Sequence, residues 1–517
     1  MIDLTVTPTD VLNFDTLLNP QRPVHFVGIG GAGMAPLAQA LQAFGFHVSG
    51  SDSSDSAMLQ QLHTLGIHTF VGHQATQVPS NAGVVYSTAI ANHNPELTTA
   101  QQAGYPLLHR SQVLQALLHS PSIGCQTTIG LAGTHGKTTL TGMMDAVLEA
   151  CHQPALVIAG GKLPSTQQNL RLNTQRHLGV AELDESDGSI LRYAPTFTIL
   201  SNLELDHADH YADGLTTLCQ TFDTYFKNLA SLPNLSPHPQ TVVANANCPL
   251  SVQVVQALPS EVRHGLRWLW LSRPEATQSL DNNALYTLAP KTQVYCLEDL
   301  RSTATGAVEG TLRIEGGTAP LTQVVAGVPG EHNCWNAAQI TMVAHALGLP
   351  LEQVAEGLLA FSGMGRRFER LPLPTVLASS QAVLVDDYGH HPTEVQVTIE
   401  AARQFMQAHG LTGQLKVWFQ PHRYTRLKAL WHEFTTCFNG VDELFLVDVY
   451  HAHEAPIEGM TSQALAVAVQ AQGVNCRAVG SVAEAQAQLR QTPSLIHTGD
   501  CVLSMGAGDV TKLFRTL

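Results

Sequence analysis

The stretch TTIGLAGTHGKTT, residues 127–139, decides the fold of the middle of this chain. Its first half is a short apolar run, as expected of a buried strand, and a helical pattern continues from about Thr138 to Ala150. A loop with two glycines joins the strand to the helix. Backbone N–H groups of such loops cradle phosphates, and a lysine and a hydroxyl complete the site. The stretch therefore predicts a strand–loop–helix unit that binds nucleotide phosphates.

This loop has the Gly-Lys-Thr end of a P-loop but is not a strict Walker A sequence, because the first glycine would fall on Leu131. The strand before it and the helix after it still favour ATP binding. Lys137 is predicted to reach the terminal phosphates and Thr138 to bind Mg²⁺. The residues predicted to bind ATP here are Gly133, Thr134, His135, Gly136, Lys137, Thr138 and Thr139.

A second glycine loop lies near the N-terminus. The apolar run Val24–Val27 enters Gly28-x-Gly30-x-x-Gly33, a helical pattern continues to Ala43, and Asp52 follows. Such glycines let the backbone approach a pyrophosphate, and the acidic residue meets a sugar hydroxyl. Taken alone, the motif fits a nicotinamide cofactor as well as another nucleotide diphosphate. A tight strand–helix turn without a ligand is the third possibility.

Acidic and histidine-rich segments follow two further predicted strands. Residues 182–187 come after the strand Leu178–Ala181, and residues 201–211 come after the strand Phe197–Leu200. Either segment alone is more often a solvated loop. Both lie at carboxyl ends of strands, where open α/β sheets bind ligands, and carboxylate oxygens are ligands that Mg²⁺ prefers. Together they favour a metal–phosphate site.

The C-terminal third alternates strands with helical patterns, which predicts a parallel sheet with helices on both faces. Its predicted strands are Ala382–Asp386, Leu415–Phe419, Glu443–Val449 and Cys501–Met505. Residues 231–320 are rich in Pro, Ser, Thr and Gln and have weak periodicity, so loops and irregular strands are expected there.

Composition narrows the class of protein. The chain has 517 residues, too many for one hydrophobic core, and only 13% are charged, which argues against long disordered tails. Its 26 basic and 41 acidic residues argue against nonspecific binding to nucleic acid or anionic membranes. The nine scattered cysteines are typical of reduced thiols, and neither a targeting segment nor an apolar span is visible. We expect a cytoplasmic multidomain protein.

Taken together, the motifs resemble the Mur ligase family. They occur in the family's order and cover nearly the whole chain. They are GIGGAGM at 28–34, STAI at 87–90, GTHGKTT at 133–139, DESD at 184–187, PGEHN at 329–333 with Asn336, RRF at 366–368, DDYGHHP at 386–392 and FQPHRY at 419–424. Within the family the set is most similar to the branch that adds the first amino acid. The sibling branches have a lysine where this chain has Phe222.

The resemblance implies an α/β protein of three domains. These are a Rossmann-like UDP-sugar domain at 1–121, a central P-loop ATPase domain with a mostly parallel sheet at 122–362, and a Rossmann-like amino-acid domain at 363–517. It also implies ATP-dependent ligation of L-alanine to the lactyl carboxylate of UDP-N-acetylmuramate through an acyl phosphate, in peptidoglycan biosynthesis. The implied partners are these small molecules with ATP and Mg²⁺, without nucleic acid, membrane or an obligate protein partner.

The resemblance also implies roles for individual residues. The catalytic set is Lys137, His207, Arg367 and His390, and the metal ligands are Thr138, Glu182 and His207. Asn333 and Asn336 face the adenine of ATP. The UDP-sugar is bound by Gly28, Gly30, Gly31, Gly33, Asp52, Ser87 and Thr88, and the amino acid by Asp386, Tyr388, His422 and Arg423. For His390 and His422 the alternative to these roles is a structural one, in which the side chains only pack within their loops. His453 departs from the family pattern, in which a glycine is usual.

Three other functions remain open. A murein-tripeptide recycling ligase uses the same UDP-sugar but attaches a whole peptide. An NAD-dependent oxidoreductase explains the first glycine loop but gives no role to Lys137. A non-catalytic nucleotide-binding regulator needs no metal ligands, whereas Glu182 and His207 are both present.

Overall fold

A computed structural model gives the architecture of most of the chain. It describes residues 19–120, 122–173, 175–206, 211, 213–232, 236–273, 282–289, 291–452 and 454–517. Among these residues no helix combines the length and the apolar character needed to cross a membrane. Contacts between residues divide the chain into two compact units. Unit 1 lies within residues 1–204, 215–295 and 342–354, and unit 2 lies within residues 205–214, 296–341 and 355–517.

The N-terminal part of unit 1 is a parallel sheet with the strand order β3-β2-β1-β4-β5. The order reverses between β1 and β4, and ligands of doubly wound sheets bind at the carboxyl ends of strands at such a switch point. The strands are β1 (Val24–Val27), β2 (Val48–Asp52), β3 (His68–Val71), β4 (Gly83–Tyr86) and β5 (Leu107–His109). The helices are α1 (Ala35–Ala43), α2 (Ala57–Thr64), α3 (Pro95–Gln102) and α4 (Arg110–His119).

The second sheet of unit 1 has the order β12-β11-β10-β6-β9-β7-β8, with β8 antiparallel to β7. Strand β6 lies between β10 and β9, parallel to both, and is buried along its whole length. The strands are β6 (Thr127–Ala132), β7 (Ala155–Ile158), β8 (Leu170–Leu172), β9 (Leu178–Glu182), β10 (Phe197–Leu200), β11 (Thr241–Asn245) and β12 (Arg267–Ser272). The helices are α5 (Lys137–Ala150), α6 (Leu215–Ser231), α7 (Pro249–Ala257), α8 (Ser260–Gly265) and α9 (Asn282–Leu288).

Three elements have residues in both units: β13 (Thr292–Ser302), α10 (Glu331–Ala346) and α11 (Leu351–Ala360). Unit 2 contains β14 (Ala307–Ile314), paired antiparallel with β15 (Thr322–Pro329), and most of α11. Short 3₁₀ helices occur in the chain at Ala75–Gln77, Ser189–Arg192, Thr375–Ser380, Pro493–Leu495 and Asp509–Thr511.

The C-terminal sheet, in unit 2, has the order β16-β17-β21-β18-β19-β20, and only β16 is antiparallel to its neighbour. Its strands are β16 (Glu369–Leu371), β17 (Val383–Asp387), β18 (Leu415–Phe419), β19 (Glu443–Val447), β20 (Cys476–Gly480) and β21 (Cys501–Met505). The helices are α12 (Pro392–Ala408), α13 (Tyr424–Ala429), α14 (Trp431–Thr436), α15 (Ser462–Gln470), α16 (Val482–Gln491) and α17 (Lys512–Arg515).

Strand β18 shows why this sheet has strongly apolar strands. Its residues Val417 and Phe419 pack into the core cluster on one face, and Trp418 packs into the cluster on the other. The Trp418 ring stacks on that of Phe445 with centroids 4.0 Å apart. A parallel strand that is buried on both faces has an apolar run instead of an alternating pattern.

The predicted fold class is confirmed, because the chain forms three sheets of mostly parallel strands with helices between them. The expectation of irregular structure across 231–320 is wrong. Regular strands and helices fill the described part of that region, including β11, β12 and β14. Strands β11 and β12 are buried almost throughout, so they show no polar–apolar alternation that periodicity can detect. Residues 274–281 of that region lie outside the described residues.

Glycine in β2 is required for close packing beneath the first glycine loop. A Cβ on Gly50 would lie 2.6 Å from the Phe26 carbonyl oxygen and 2.7 Å from Ile29 Cδ1. Because overpacking of a core costs about 1–3 kcal/mol, we predict that Gly50→Ala lowers the unfolding midpoint in urea, followed by circular dichroism. Gly83→Ala in β4 is the matched control, since its Cβ would meet Leu108 at an ordinary 3.5 Å. Equal midpoints for the two variants would contradict the packing assigned to Gly50.

Candidate active site

The first glycine loop lies at the switch point of the N-terminal sheet. Gly28 leaves β1 with a φ of 79°, and its N–H and that of Ile29 both donate to the Ser51 carbonyl. A turn from Ser87 to Ile90 follows β4, and Ile90 packs against Gly28. The structure therefore brings the predicted UDP-sugar residues of 28–33 and 87–88 to one end of the sheet.

Asp52 closes this loop from the end of β2. The Gly30 N–H donates to Asp52 Oδ2 at 2.9 Å, so the carboxylate sets the shape of the glycine loop. A Cβ on Gly30 would fall 2.9 Å from the same oxygen, which accounts for glycine at this position. A direct contact from Asp52 to a ligand stays a prediction.

The second glycine loop follows β6 and begins α5. Gly133 has a φ of 124°, and a Cβ there would lie 2.3 Å from Ser201 Oγ. Gly136 has a φ of 86° and precedes the first residue of α5 in a left-handed conformation. Only glycine adopts such angles readily, so glycine is favoured at both positions of the loop.

Segment 201–204, at the end of β10, holds this loop in place. Thr134 Oγ1 donates to the Glu204 carbonyl at 3.0 Å and accepts from the Glu204 N–H at 2.9 Å. The His135 N–H donates to Asn202 Oδ1 at 2.9 Å. The polar segment that the sequence singled out therefore anchors the phosphate loop, within unit 1.

Lys137, the first residue of α5, forms a buried ion pair. Its ammonium lies 2.7 Å from Glu185 Oε2 and also donates to the carbonyls of Gly133 and Thr134. Burial by itself lowers the pKa of Lys137, but the Glu185 and Asp184 carboxylates outweigh it and hold the pKa above its ordinary value. Lys137 is therefore a fixed positive charge at the glycine loop.

Thr138 and Glu182 face each other across the ends of α5 and β9. Thr138 Oγ1 donates to Glu182 Oε2 at 3.0 Å, and the Gly160 N–H donates to Glu182 Oε1 at 2.6 Å. A Cβ on Gly160 would approach Glu182 Oε2 to 2.9 Å, so this glycine leaves room for the carboxylate. Two of the three predicted metal ligands thus lie together, and the third, His207, lies outside the described residues.

Arg110 links the first glycine loop to the acidic segment that follows β9. Its guanidinium donates to Asp184 Oδ2 at 2.7 Å and lies 3.4 Å from Asp187 Oδ2. A Cβ on Gly33 would come within 3.4 Å of Arg110 Nη1. The side chain therefore places a positive charge beside the first glycine loop and fixes the acidic segment after β9.

In unit 2, Asp386 lies at the end of β17 and is fully buried. Its carboxylate accepts hydrogen bonds from Ser504 at 3.1 Å, Thr511 at 2.6 Å and Arg515 at 3.0 Å. Arg366 Nε lies 3.6 Å away. These contacts support a role for Asp386 in positioning Arg366 and Arg515 at the carboxyl end of β17. A direct contact between Asp386 and the amino acid stays a prediction.

Tyr388 lies under two arginines. The guanidinium of Arg366 is 4.9 Å and that of Arg367 5.2 Å from the centre of its ring. Arg367 also pairs with Glu394 at 3.5 Å. Glu394 accepts from the N–H groups of His390 and His391, so it caps the start of α12 and fixes the loop that carries both histidines.

His390 and His422 lie 5.7 Å apart, measured between ring centres. Burial lowers the pKa of His390 to about 3 and that of His422 to about 4, with Arg426 adding to both effects. Arg426 donates to Asp206 at 2.9 Å and approaches His422 Nδ1 at 3.3 Å. Both imidazoles are therefore neutral at physiological pH.

Arg423 has a backbone conformation rare for a side-chain-bearing residue, with a φ of 69° and a ψ of 133°. Its N–H donates to the Tyr450 carbonyl at 2.8 Å, and its Nε lies 2.8 Å from Glu454 Oε1. Such strain persists only where surrounding contacts enforce it, and it is concentrated at functional sites. The conformation supports the predicted role of Arg423, next to His422.

The predicted adenine contacts, Asn333 and Asn336, lie in the first turns of α10 and are largely buried. Asn333 Nδ2 donates to the Pro329 carbonyl at 2.6 Å. Both residues belong to unit 2, whereas the phosphate loop belongs to unit 1. Their role toward ATP stays a prediction.

Comparison with known proteins decides the family. Profiles of the Mur ligase family catalytic domain and of the Mur ligase glutamate ligase domain match residues 23–120 and 366–508. The UDP-N-acetylmuramate–L-alanine ligase of Neisseria meningitidis serogroup B is 34% identical over 494 residues, covering 95% of this chain and 96% of that protein. The ligase of the same name from Nitratidesulfovibrio vulgaris is 35% identical over 496 residues, covering 96% and 98%. This chain belongs to the Mur ligase family.

Solved structures agree on the fold of this Mur ligase. The crystal structure of the Thermotoga maritima UDP-N-acetylmuramate–alanine ligase has a TM-score of 0.72 and 23% identity, covering 96% of this chain and 97% of that one. A murein peptide ligase from Psychrobacter arcticus has a TM-score of 0.64 and 19% identity, covering 96% and 98%. At such identities the likeness concerns the fold alone.

As a member of the Mur ligase family, the chain is an ATP-dependent ligase. The sequence indicated its phosphate loop and the acidic segment after β9, but it missed Arg110, Glu185 and Glu394 as site residues. Glu185 and Glu394 lie inside or next to quoted motifs, so their position gave a signal. Arg110 lies in no recognised motif and reaches the site only through the packing of α4.

The neutral state of His390 is testable. Its Nδ1 lies 3.1 Å from the Tyr388 carbonyl oxygen, which only accepts, so the proton is on Nδ1 and Nε2 has a lone pair. With a pKa of about 3, the ring stays neutral as the pH falls from 8 to 5. We predict an unprotonated Nε2 over that range in ¹⁵N ring spectra, with the signal assigned by its loss in His390→Gln. A midpoint near the ordinary histidine value of about 6.5 would contradict this environment.

Proposed function

We propose that this Mur ligase joins L-alanine to the lactyl carboxylate of UDP-N-acetylmuramate with hydrolysis of ATP, in peptidoglycan biosynthesis. The observation that supports this most strongly is the match, over about its whole length, to ligases bearing that name. The arrangement of Lys137, Thr138 and Glu182 at one edge of a parallel sheet supplies the chemistry for phosphoryl transfer.

We propose that each of three domains binds a different substrate. Residues 1–121 bind the UDP-sugar, residues 122–362 bind ATP, and residues 363–517 bind the amino acid. Each of these ranges contains described parallel strands whose carboxyl ends lie near residues with the proposed roles. We further propose a cytoplasmic protein that acts on small molecules without an obligate protein partner.

A free carboxylate is a poor acceptor for an amine, so the proposed reaction begins with phosphorylation of the lactyl carboxylate. Lys137 is the group of this chain suited to neutralise the transferring phosphoryl group, since its charge is fixed at the glycine loop. The backbone N–H groups at the start of α5 add hydrogen-bond donors for phosphate oxygens. The amino group of L-alanine then attacks the acyl phosphate, and inorganic phosphate leaves.

The residues present fit Mg²⁺. Thr138 offers a hydroxyl and Glu182 a carboxylate, the hard oxygen ligands that Mg²⁺ takes from proteins beside phosphates, and their oxygens lie 3.0 Å apart. Bound there, Mg²⁺ neutralises phosphate charge. Gly160 contributes by holding the second Glu182 oxygen through its N–H, which keeps the carboxylate facing Thr138.

At the N-terminal switch point the fitting ligand is a nucleotide diphosphate sugar. Gly28, Gly30, Gly31 and Gly33 leave the backbone accessible, and Arg110 adds a positive charge at Gly33 that suits a diphosphate or a carboxylate. The two oxygens of Asp52 face the loop and the neighbouring Ser54 N–H, so the carboxylate shapes the loop before any ligand binds.

At the amino-acid end we propose that His390 and His422 act as hydrogen-bonding groups. Their pKa values, about 3 and about 4, make them weak bases, so they orient the amine instead of removing its proton. Arg423 and Arg367 are the cations there that suit the carboxylate of alanine and the acyl phosphate.

The proposed function predicts a specific pattern of ADP release. With UDP-N-acetylmuramate present, L-alanine should stimulate release far more than other amino acids, the tripeptide or NAD. Lys137→Ala should lower turnover by more than about tenfold, a loss of over ~1.4 kcal/mol of transition-state stabilisation. Lys162→Ala is the matched control, because Lys162 is an exposed lysine of the same unit.

Each alternative function predicts a different experimental result. Stimulation by the tripeptide and not by L-alanine would indicate the recycling reaction. Micromolar NAD binding without UDP-sugar binding, measured by calorimetry, would contradict the ligase assignment of the N-terminal sheet. Full turnover in Lys137→Ala would contradict the role of that lysine.

A further inference from the structure

Glu185 is a buried carboxylate to which the proposed reaction gives no role. It lies three residues after Glu182 in the segment that follows β9, and its side chain is 3% exposed. Its Oε2 lies 2.7 Å from Lys137 Nζ, within the range of a charge-assisted hydrogen bond. The predicted phosphate-binding lysine is therefore bound to a carboxylate of its own unit.

The other acidic residues of this segment face elsewhere. Asp184 accepts from Arg110 and from Ser186, and Asp187 accepts from the Ser189 N–H and lies near Arg110. Glu182 accepts from Thr138 and Gly160. Glu185 is the member of the segment whose hydrogen bond is made to the Lys137 ammonium.

Lys137 has no donor left over in this arrangement. An ammonium has three N–H donors, and the structure gives it three acceptors: Glu185 Oε2, the Gly133 carbonyl and the Thr134 carbonyl. The same hydrogens cannot be donated to a terminal phosphate while these bonds persist. Binding of the phosphate to Lys137 must therefore break at least one of them.

We propose that Glu185 is a positioning residue that holds Lys137 in the nucleotide-free protein, and that the terminal phosphate of ATP displaces this carboxylate when it binds. The proposal rests on the proposed contact between Lys137 and that phosphate. Glu185 is the partner displaced, because the carboxylate and the phosphate are both anions and compete for one cation. Loss of either carbonyl partner relieves no such repulsion.

Displacement of Glu185 from Lys137 changes the protonation state of Glu185. Burial, with a smaller contribution from Asp184, raises the pKa of Glu185 to about 7, although Lys137 opposes the shift. Among the described residues, the other charged groups that act on this pair are Asp184 and, toward the lysine, Glu182. Once Lys137 turns to phosphate, Glu185 loses the lowering effect of that ammonium on its pKa and takes up a proton. At pH 8 the carboxylate starts ionised, so ATP binding takes up protons, whereas at pH 6 it starts largely protonated and uptake is small.

Calorimetric titration of the full chain with ATP and Mg²⁺ at pH 8, where Glu185 is ionised, and without the UDP-sugar, tests the competition. Glu185→Gln removes the competing charge, so we expect ATP to bind about tenfold more tightly, the size of effect typical of a hydrogen bond to a charged group. Glu185→Asp withdraws the carboxylate by one methylene and should tighten binding less. Asp187→Asn is the matched control from the same segment and should bind ATP as wild type does.

The same titration in buffers of different ionisation enthalpy measures proton uptake. At pH 8 the wild type should take up about one more proton per ATP than Glu185→Gln, and this difference should shrink at pH 6. Ionisation of ATP itself is common to all the proteins and cancels in the difference. A merely structural role for Glu185 changes thermal stability but leaves this difference at zero.

The outcomes separate the two proposals. Unchanged or weaker ATP binding in both Glu185 variants, with proton uptake equal to the wild type, overturns the role of Glu185 and leaves the ligase assignment standing. Failure of the wild type to bind ATP overturns both. If Glu185→Gln does not fold, Glu185→Ala, which also removes the carboxylate, takes its place in both titrations.

Discussion

The parallel pairing of β6 with β9 is the constraint on which the rest of this site depends. Leu131 lies in register with Glu182, so the glycine loop that leaves β6 turns directly over the acidic segment that leaves β9. That register places Thr138 within 3.0 Å of Glu182 and Lys137 within 2.7 Å of Glu185. A slip of one residue would turn Glu182 to the opposite face of the sheet and shift the segment that carries Glu185, removing both contacts.

The same physical rule recurs in the other two sheets. In the N-terminal sheet, Gly28, Asp52 and Ser87 lie at the carboxyl ends of three parallel strands, where the strand order reverses. In the C-terminal sheet, the segments after β17 and β18 bring Tyr388, His390 and His422 together. Parallel strands end at the same edge of a sheet, so the residues at their carboxyl ends lie close together whatever their chemistry.

The sequence predicted what depends on local pattern. Strands Leu415–Phe419 and Cys501–Met505 and both glycine loops are found at the predicted positions, because short apolar runs and glycines with positive φ are local signals. Contacts between distant segments were not predictable in this way. Arg110 reaches Asp184 across 74 positions of the chain, and nothing near Arg110 in the sequence marks that contact. The histidine pair 390–391 shows that a local signal can be ambiguous. His391 and Glu394 form a helix cap, which is a local structural feature, yet the pair lies in a motif predicted to be functional.

Phosphorylation of the lactyl carboxylate is the step that connects the glycine loop with the formation of an amide. Oxygen transfer tests it most directly. UDP-N-acetylmuramate with ¹⁸O in its lactyl carboxylate is turned over with ATP and L-alanine, and the inorganic phosphate is examined by ³¹P spectroscopy or mass spectrometry. We predict one ¹⁸O atom in each phosphate released, because the carboxylate oxygen that accepts the phosphoryl group leaves with it. Formation of the amide product together with unlabelled phosphate would contradict the proposed chemistry.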